Sequence, residues 1–486
     1  MASKINNNEL KIFFQDKELL EEAGKLAKFL LKKGKIEKKL LLETYEKLVN
    51  QPEKYTEDET FGEIAKLTQE LQPKKTNENE GFKSFELRER PLTYQVFGKE
   101  HIEETALYQM DTAMKLPISV AGALMPDAHQ GYGLPIGGVL ATESDKIIPF
   151  AVGVDIACRM CLSVFELDAV LLEKRRSEFK KHLGDHTYFG IAGTNKNSLD
   201  DEVWEHPDWK ATPFIRSLYP KALSQIGTSG TGNHFVEWGV IEIVEENSAD
   251  LGNLPKGNYV ALLSHSGSRG FGAGIANHYS KLAIEQTKLP REAQHLAWLD
   301  LNTEAGQEYW IAMNLAGEYA AANHHQIHRR MAKALGKKPL FMIENHHNFA
   351  WKEKLADGTE VMVHRKGATP AQKGVLGIIP SSMATQGFVV RGKGEISAVN
   401  SASHGSGRLM SRNKALNSFT MNEVKKNLQE KGVTLIGGDL DEAPMAYKDI
   451  NDVMLAQRDL VEIIAKFSPK VVRMAESDEN KKGRED

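Results

Sequence analysis

From about residue 85 to about residue 475, glycine-dense loops alternate with short β-branched and aromatic runs such as "NYVALLSHSGS" and "QGFVVRG". Helical stretches such as "QEYWIAMNLAGEYAAANHHQIHRRMAKAL" punctuate these runs. Regular helices of about ten to fifteen residues do not separate the strand-like runs, as a doubly wound parallel sheet would require. The pattern predicts an α+β fold, with mixed β-sheets flanked by helices and loops that carry the chemistry.

Residues 1–80 read differently. Between Asp16 and Leu71 the chain is rich in Leu, Lys and Glu, with apolar residues at helical spacing: Leu26, Phe29 and Leu30, then Leu40, Leu41, Tyr45 and Leu48. This predicts a helical extension. "QPKKTNENEGFKS", from Gln72, has the content of a linker, and "ESDENKKGRED" at the end, charged and without apolar anchors, predicts a disordered tail over 476–486.

A formal net charge of -4 gives no global attraction to nucleic acid, so any basic surface must be local. No apolar run approaches the ~18 residues of a membrane span, and "MASKINNNELKIFF" lacks the order of a signal peptide, so the chain reads as cytoplasmic. With Cys158 and Cys161 alone, a disulfide framework is excluded.

Four histidines stand in or beside small-residue loops next to strand-like runs: His234 in "GTSGTGNHFVEWG", His265 in "LLSHSGSRGFG", His347 in "ENHHNFAW" and His404 in "SASHGSGRLMSR". "VGVDIACRMC" adds a carboxylate, Asp155, and a thiol, Cys158, suited to a divalent transition metal such as Zn, Fe, Mn or Co. Residues three apart on an extended strand point to opposite faces, so these two can share a metal only across a turn. Cys158 and Cys161 also form a C-x-x-C, open to a redox or half-zinc reading, although the chain has no second cysteine pair. One thiolate bridging two cations would suit phosphoryl transfer.

A phosphate-binding side is also legible. "HGSGRLMSRNKAL" runs from a glycine-rich loop into a predicted helix, with Arg408 and Arg412 four apart and therefore on one face. Arg365 and Lys366 in "VHRKGATPAQKG" and Arg269 in "SHSGSRGFG" add cations, each of which also reads as ordinary surface charge. An imidazole in such surroundings, His404, can attack the α-phosphorus of a nucleotide and pass the nucleotide on.

These segments together resemble the RtcB family of RNA ligases. "MPDAHQGYGLPIGG", "VGVDIAC", "GTGNHFVE", "SHSGSRG", "HHNFAWKE", "HRKGATP", "IIPSSMAT", "SHGSGRLMSR" and "DEAPMAYKD" are similar to its signature segments, in its order, over residues 85–475. The resemblance implies an RtcB-like fold around a central metal-containing cleft. It also implies a ligase that uses GTP and Mn²⁺, with two ions, to join RNA 3′-phosphate or 2′,3′-cyclic phosphate ends to 5′-hydroxyl ends, as in RNA repair or tRNA splicing.

Carried over by position, the resemblance makes Asp155, Cys158, His234, His265 and His347 metal ligands and His404 the residue that carries GMP. It places Asn233, Glu237, Ser382, Tyr447, Lys366 and Arg408 at the nucleotide, and Arg269, Arg408 and Arg412 at RNA phosphates. Asp127 and His129 belong to a signature segment without an assigned role. An activating protein partner is compatible with the resemblance; a membrane is not part of it. Three positions depart from the family pattern: Arg159 stands where glycine is usual, Gly387 where serine is frequent, and Arg473 or Met474 where a lysine is usual near guanine. Two other functions use overlapping residues. One is a two-metal phosphodiesterase or phosphatase without a covalent nucleotide, and the other a nucleic-acid-binding protein that has lost catalysis.

Overall fold

The last strand of the chain, Val461–Glu476, lies in the middle of its sheet. The computed structural model describes residues 5, 10, 13, 14, 17–50, 52–71, 83–195, 199–244 and 248–476. The expected linker from Gln72 and the expected tail beyond 476 lie outside these residues, apart from Lys83 and Ser84 at the linker's end. The chain divides into two units, 1–81 and 82–486.

In the first unit, helices Lys17–Lys32, Lys38–Asn50 and Gly62–Leu71 share a core of Ala23, Ala27, Leu30, Leu41, Tyr45, Leu48, Phe61, Ile64 and Ala65. The buried Tyr45 hydroxyl donates to the Ala23 carbonyl at 2.7 Å and so ties the first helix to the second. The spacing of Leu30, Leu41, Tyr45 and Leu48 marks the inner faces correctly. Phe29 and Leu40, which fit the same period, are instead 49% and 53% exposed.

The second unit contains an eight-stranded and a five-stranded sheet. In the larger, Val461–Glu476 pairs antiparallel with Phe235–Ile243 on one side and Gly387–Gly392 on the other, and parallel with Thr434–Gly438. Pro469, which has no N–H to give, falls at a register shift in this strand. Beyond Phe235–Ile243 the order continues through Gly257–Ser266 and Arg159–Asp168 to Phe341–His346.

The smaller sheet runs Asn348–Lys354, Glu360–Lys366, Ile136–Glu143, Ser119–His129, Gln95–Val96. The sheets meet over an apolar layer in which Val139, Ala141, Val361 and Val363 of one pack with Ile379, Phe388, Val390 and Val461 of the other. Helices Pro213–Gln225, Arg269–Gln286 and Glu304–Leu335 build a second core outside the sheets through Ile215, Phe271, Tyr279, Tyr309 and Tyr319. This is the expected α+β architecture. Among the described residues, no helix is long and apolar enough to cross a membrane.

Candidate active site

His347 occupies the single position between the strand Phe341–His346 of the larger sheet and Asn348–Lys354 of the smaller. Its side chain faces a cavity of about 1320 Å³ whose wall also includes Asp155, Cys158, His234, His265 and His404.

A turn precedes the strand Arg159–Asp168. The Cys158 N–H donates to the Asp155 carbonyl at 3.1 Å, and Ala157 adopts a left-handed φ of 57°. The turn removes the alternation that an extended strand would impose, and both side chains reach one place. Cys158 Sγ lies 3.4 Å from His234 Nε2 and 3.1 Å from His265 Nε2. His234 Nε2 is 2.9 Å from Asp155 Oδ2, and His265 Nε2 is 3.3 Å from His347 Nε2. Gly267 permits the approach of Asp155, since a Cβ there would fall 2.0 Å from its Oδ1.

Two groups that could hold a metal therefore share Cys158: Cys158 with His265 and His347, and Asp155 with Cys158 and His234. Within each, the donor atoms lie within 4.8 Å of one another. The tautomers suit such a role. His265 Nδ1 faces the Asn233 carbonyl at 3.0 Å, which can only accept, so the proton sits on Nδ1 and the Nε2 lone pair faces Cys158 and His347. Burial, with nearby His234, pushes His265 down to about 3, and burial with His404 and His265 holds His347 well below the usual histidine range. Burial raises the Asp155 carboxyl, but hydrogen bonding and charge from His234, with Cys158 and His265, bring it below its ordinary value. The Nε2 atoms of His234, His265 and His347, the Cys158 sulfur and the Asp155 carboxylate thus converge, a donor set that a divalent cation would fit.

His404 follows the short strand Ser401–Ser403, and its ring centroid is 4.9 Å from that of His347. Its Nδ1 lies 2.7 Å from Asp127 Oδ2, which also accepts from the backbone N–H groups of His404 at 3.2 Å and Gly405 at 3.3 Å. Asp127 is fully buried. Burial alone would raise its carboxyl, but the hydrogen bond and charge of His404, then Lys448 and His129, keep it below the ordinary value. Lys448 Nζ donates to the carbonyls on either side, Pro126 at 3.1 Å and Ala128 at 2.7 Å. The small residues around His404 thus have a definite use. Gly407, at φ +71°, lets the loop lie against the Asp127 backbone, where a Cβ would be 2.0 Å from its carbonyl oxygen.

The cavity wall also includes Asn233, Lys366, Ser382, Arg408, Arg412 and Tyr447. Arg408 precedes the helix Arg412–Ser418, so the two arginines do not share a helix face as their spacing predicted. They converge instead on acidic groups. Arg408 donates to the Asp441 carbonyl at 2.6 Å and reaches Tyr447 Oη at 3.3 Å, while Arg412 pairs with Asp441 Oδ2 at 3.1 Å and with Glu442. Sequence reasoning misses Asp441 and Glu442, because two acids in a turn such as "DLDEAP" resemble solvated charge. Burial pushes Lys366, whose Nζ donates to the Tyr132 carbonyl at 2.5 Å, down to about 7.

Three cations or acids expected at ligands are elsewhere. Arg269 is buried, donating to Gly190 O at 2.6 Å and Thr228 Oγ1 at 3.2 Å, and does not line the cavity. Glu237, paired with Val472, lies two residues along the strand from the cavity-lining Phe235 and outside the wall, where burial pushes its carboxyl well above the usual range. Arg365 is enclosed and forms a bidentate pair with Glu353 at 2.5 and 3.1 Å. Cys161 does not join Cys158. It groups with His324 and His328, whose ring nitrogens are already engaged by Ser163, Ser264 and the Ser266 carbonyl.

A profile of the family described as tRNA-splicing ligase RtcB matches residues 109–212 and 207–475. The chain belongs to the RtcB family. Two Escherichia coli relatives, RNA-splicing ligase RtcB1 and RNA-splicing ligase RtcB, are 34% and 33% identical over 393 residues, covering 75% of this chain and 92% of theirs. The tRNA-splicing ligase RtcB of Nanoarchaeum equitans is 30% identical over 436 residues, covering 76% of this chain and 91% of its own.

The matched segments supply the cavity wall except Glu103 and Tyr108, and do not include the N-terminal helical unit. The surroundings of the positions that depart from the RtcB pattern have a physical reading too. Arg159 is accommodated by Glu344 at 3.1 Å and His346 Nδ1 at 3.2 Å. Met474, not Arg473, reaches the cavity; Arg473 donates to the Leu183 and Gly184 carbonyls at 2.7 and 2.6 Å. Gly387 pairs with Phe467 at the start of its strand and is not in the wall.

Proposed function

We propose that this chain is an RNA ligase that joins a 3′-phosphate or 2′,3′-cyclic phosphate end to a 5′-hydroxyl end, through a guanylylated His404, with GTP and Mn²⁺. The observation that carries the reading is the Asp127–His404 pair beside the Cys158 cluster. A buried carboxylate that accepts from Nδ1 fixes the tautomer and leaves Nε2 as the nucleophile.

In this reading Asp155, Cys158, His234, His265 and His347 would hold the Mn²⁺. When bound, the ions neutralise charge that develops on phosphate oxygens. His404 Nε2 attacks the α-phosphorus of GTP; the bond to the bridging oxygen breaks and pyrophosphate leaves. An oxygen of the RNA 3′-phosphate then attacks the phosphoramidate, the phosphorus–nitrogen bond breaks and GMP passes to the RNA. The 5′-hydroxyl finally attacks the RNA phosphorus and GMP departs.

Asn233, Ser382 and Tyr447 line the nucleotide's place, and Lys366, Arg408 and Arg412 supply cations for phosphates. For the two arginines, phosphate oxygens would replace the carboxylates of Asp441 and Glu442 that now face them. Incubation with Mn²⁺ and α-labelled GTP or ATP tests the reading: GTP should give an acid-labile, base-stable protein adduct. Absence of any adduct, with phosphodiester cleavage retained, would favour the two-metal hydrolase. Equal labelling by ATP would remove the base preference.

Two further outcomes are expected. Asp127→Asn keeps the shape but loses the acceptor charge, and adduct formation should slow by roughly 10²-fold or more while nucleotide affinity changes little. Single-turnover labelling separates the two. Lys366 is cationic below about 7 and neutral above it, so nucleotide affinity should fall as pH rises past 7. A phosphate at the site moves the fall upward, and Lys366→Arg should abolish it; the same pH profile in both proteins would exclude Lys366 from phosphate binding.

A further inference from the structure

We infer that the turn between the first two helices of the N-terminal unit, with the lysines flanking it, is an RNA-binding surface. The choice of RNA as occupant rests on the ligase reading above. Between residues 25 and 39 there are seven lysines against one acidic residue, Glu37. Residues 1–81 as a whole carry 15 lysines and 16 acidic residues, so the unit is close to neutral and its positive charge is gathered at one end.

The geometry makes one surface of this charge. Lys25, Lys28 and Lys32 are three and four apart on Lys17–Lys32 and lie along one exposed face, where Lys25 is paired with Glu22 at 2.5 Å. The helix closes as Lys35 N–H donates to the Leu30 carbonyl at 3.0 Å, placing exposed Lys33 and Lys35 in the turn. The next helix, Lys38–Asn50, opens on Lys38 and Lys39 with no acidic residue in its first turn. Cations at that end oppose the helix dipole, so helix stability does not explain their placement. A phosphate there would meet both the lysines and the helix N-terminus.

An aromatic side chain completes the surface. Phe29 lies 49% exposed on the lysine face, with Lys35 Nζ 5.4 Å from its ring centroid. A basic track beside a half-exposed aromatic ring is what single-stranded nucleic acid binds by phosphate pairing and base stacking, a base taking the place of Lys35 over Phe29. An anionic membrane would also attract the lysines, but insertion needs a broad apolar face. Apart from Phe29 and Leu40, which are too few to make such a face, the apolar sides of both helices are buried in the unit's own core by Ala23, Ala27, Leu30, Leu41, Tyr45 and Leu48.

The test uses the full chain, with Lys28, Lys32, Lys33, Lys35 and Lys39 changed together to Gln. A control changes the exposed lysines Lys47, Lys54 and Lys66 of the same unit to Gln. Circular dichroism and the GTP adduct establish that fold and active centre persist. Binding of a fluorescein-labelled single-stranded RNA is then measured across a salt series. The five-lysine variant should bind roughly tenfold or more weakly at low salt, its salt slope reduced by about 0.7 for each RNA phosphate no longer neutralised, and the control should match the parent. Unchanged affinity and slope would overturn the inference. So would an equal weakening in the control, or vesicles rich in phosphatidylserine that bind through these lysines while RNA binding is unaffected. If the parent forms no GTP adduct, the ligase reading fails, and the RNA titration still decides this surface separately.

Discussion

Replacing His404 with alanine is expected to abolish the labelled GTP adduct and to lower RNA joining by roughly 10⁴-fold or more. The fold should persist, because the ring reaches into a cavity and its strongest partner, Asp127, keeps two backbone N–H donors from residues 404 and 405. Metal content should also be unchanged, since His404 stands beside the Cys158 cluster without belonging to either metal-capable group. Measured together, adduct, joining and metal content distinguish a missing nucleophile from a disrupted site. Label retained at the parent level would remove His404 from its role and direct attention to His347, 4.9 Å away between ring centroids.

Cys158→Ala is expected to have the opposite signature, with metal lost first and activity as a consequence. Cys158 is the member shared by the two metal-capable groups in the cavity wall, so its removal weakens two sites at once. Removing a group that merely orients a metal ligand commonly reduces metal affinity by about 10–100-fold, and removing a shared donor should exceed roughly that range. Elemental analysis of protein dialysed against a weak chelator should show reduced stoichiometry, and added Mn²⁺ should raise the melting temperature less than in the parent. Unchanged metal content would contradict the cluster. Cys161→Ala is the matched control, since Cys161 lies outside the cavity wall.

The sequence displays the candidate ligands and nucleophile more clearly than the groups that hold them. Glycine- and serine-rich surroundings mark His234, His265, His347 and His404, and the cavity brings all four together. The spacing of Asp155 and Cys158 makes their convergence conditional on a turn, and the left-handed Ala157 supplies it. Asp127 stands in a signature segment that gives it no role. Its partner lies 277 residues away, and no local pattern announces such a pair. Glu237 and Arg269 stand outside the cavity wall for a related reason: burial, which decides whether a polar side chain meets the cavity, depends on distant strands. Phe29 and Leu40 fit the helical period, but each of these short helices buries only one stripe in the unit's core.

The position of Val461–Glu476 carries a consequence for synthesis. Both neighbouring strands, Phe235–Ile243 and Gly387–Gly392, leave the ribosome before the strand that joins them. Until then the nascent chain holds two half-sheets with unpaired edges, the condition under which growing polypeptides adhere to one another and engage chaperones. A stop codon before Val461 would therefore remove the seam between the halves, and with it the assembled cavity.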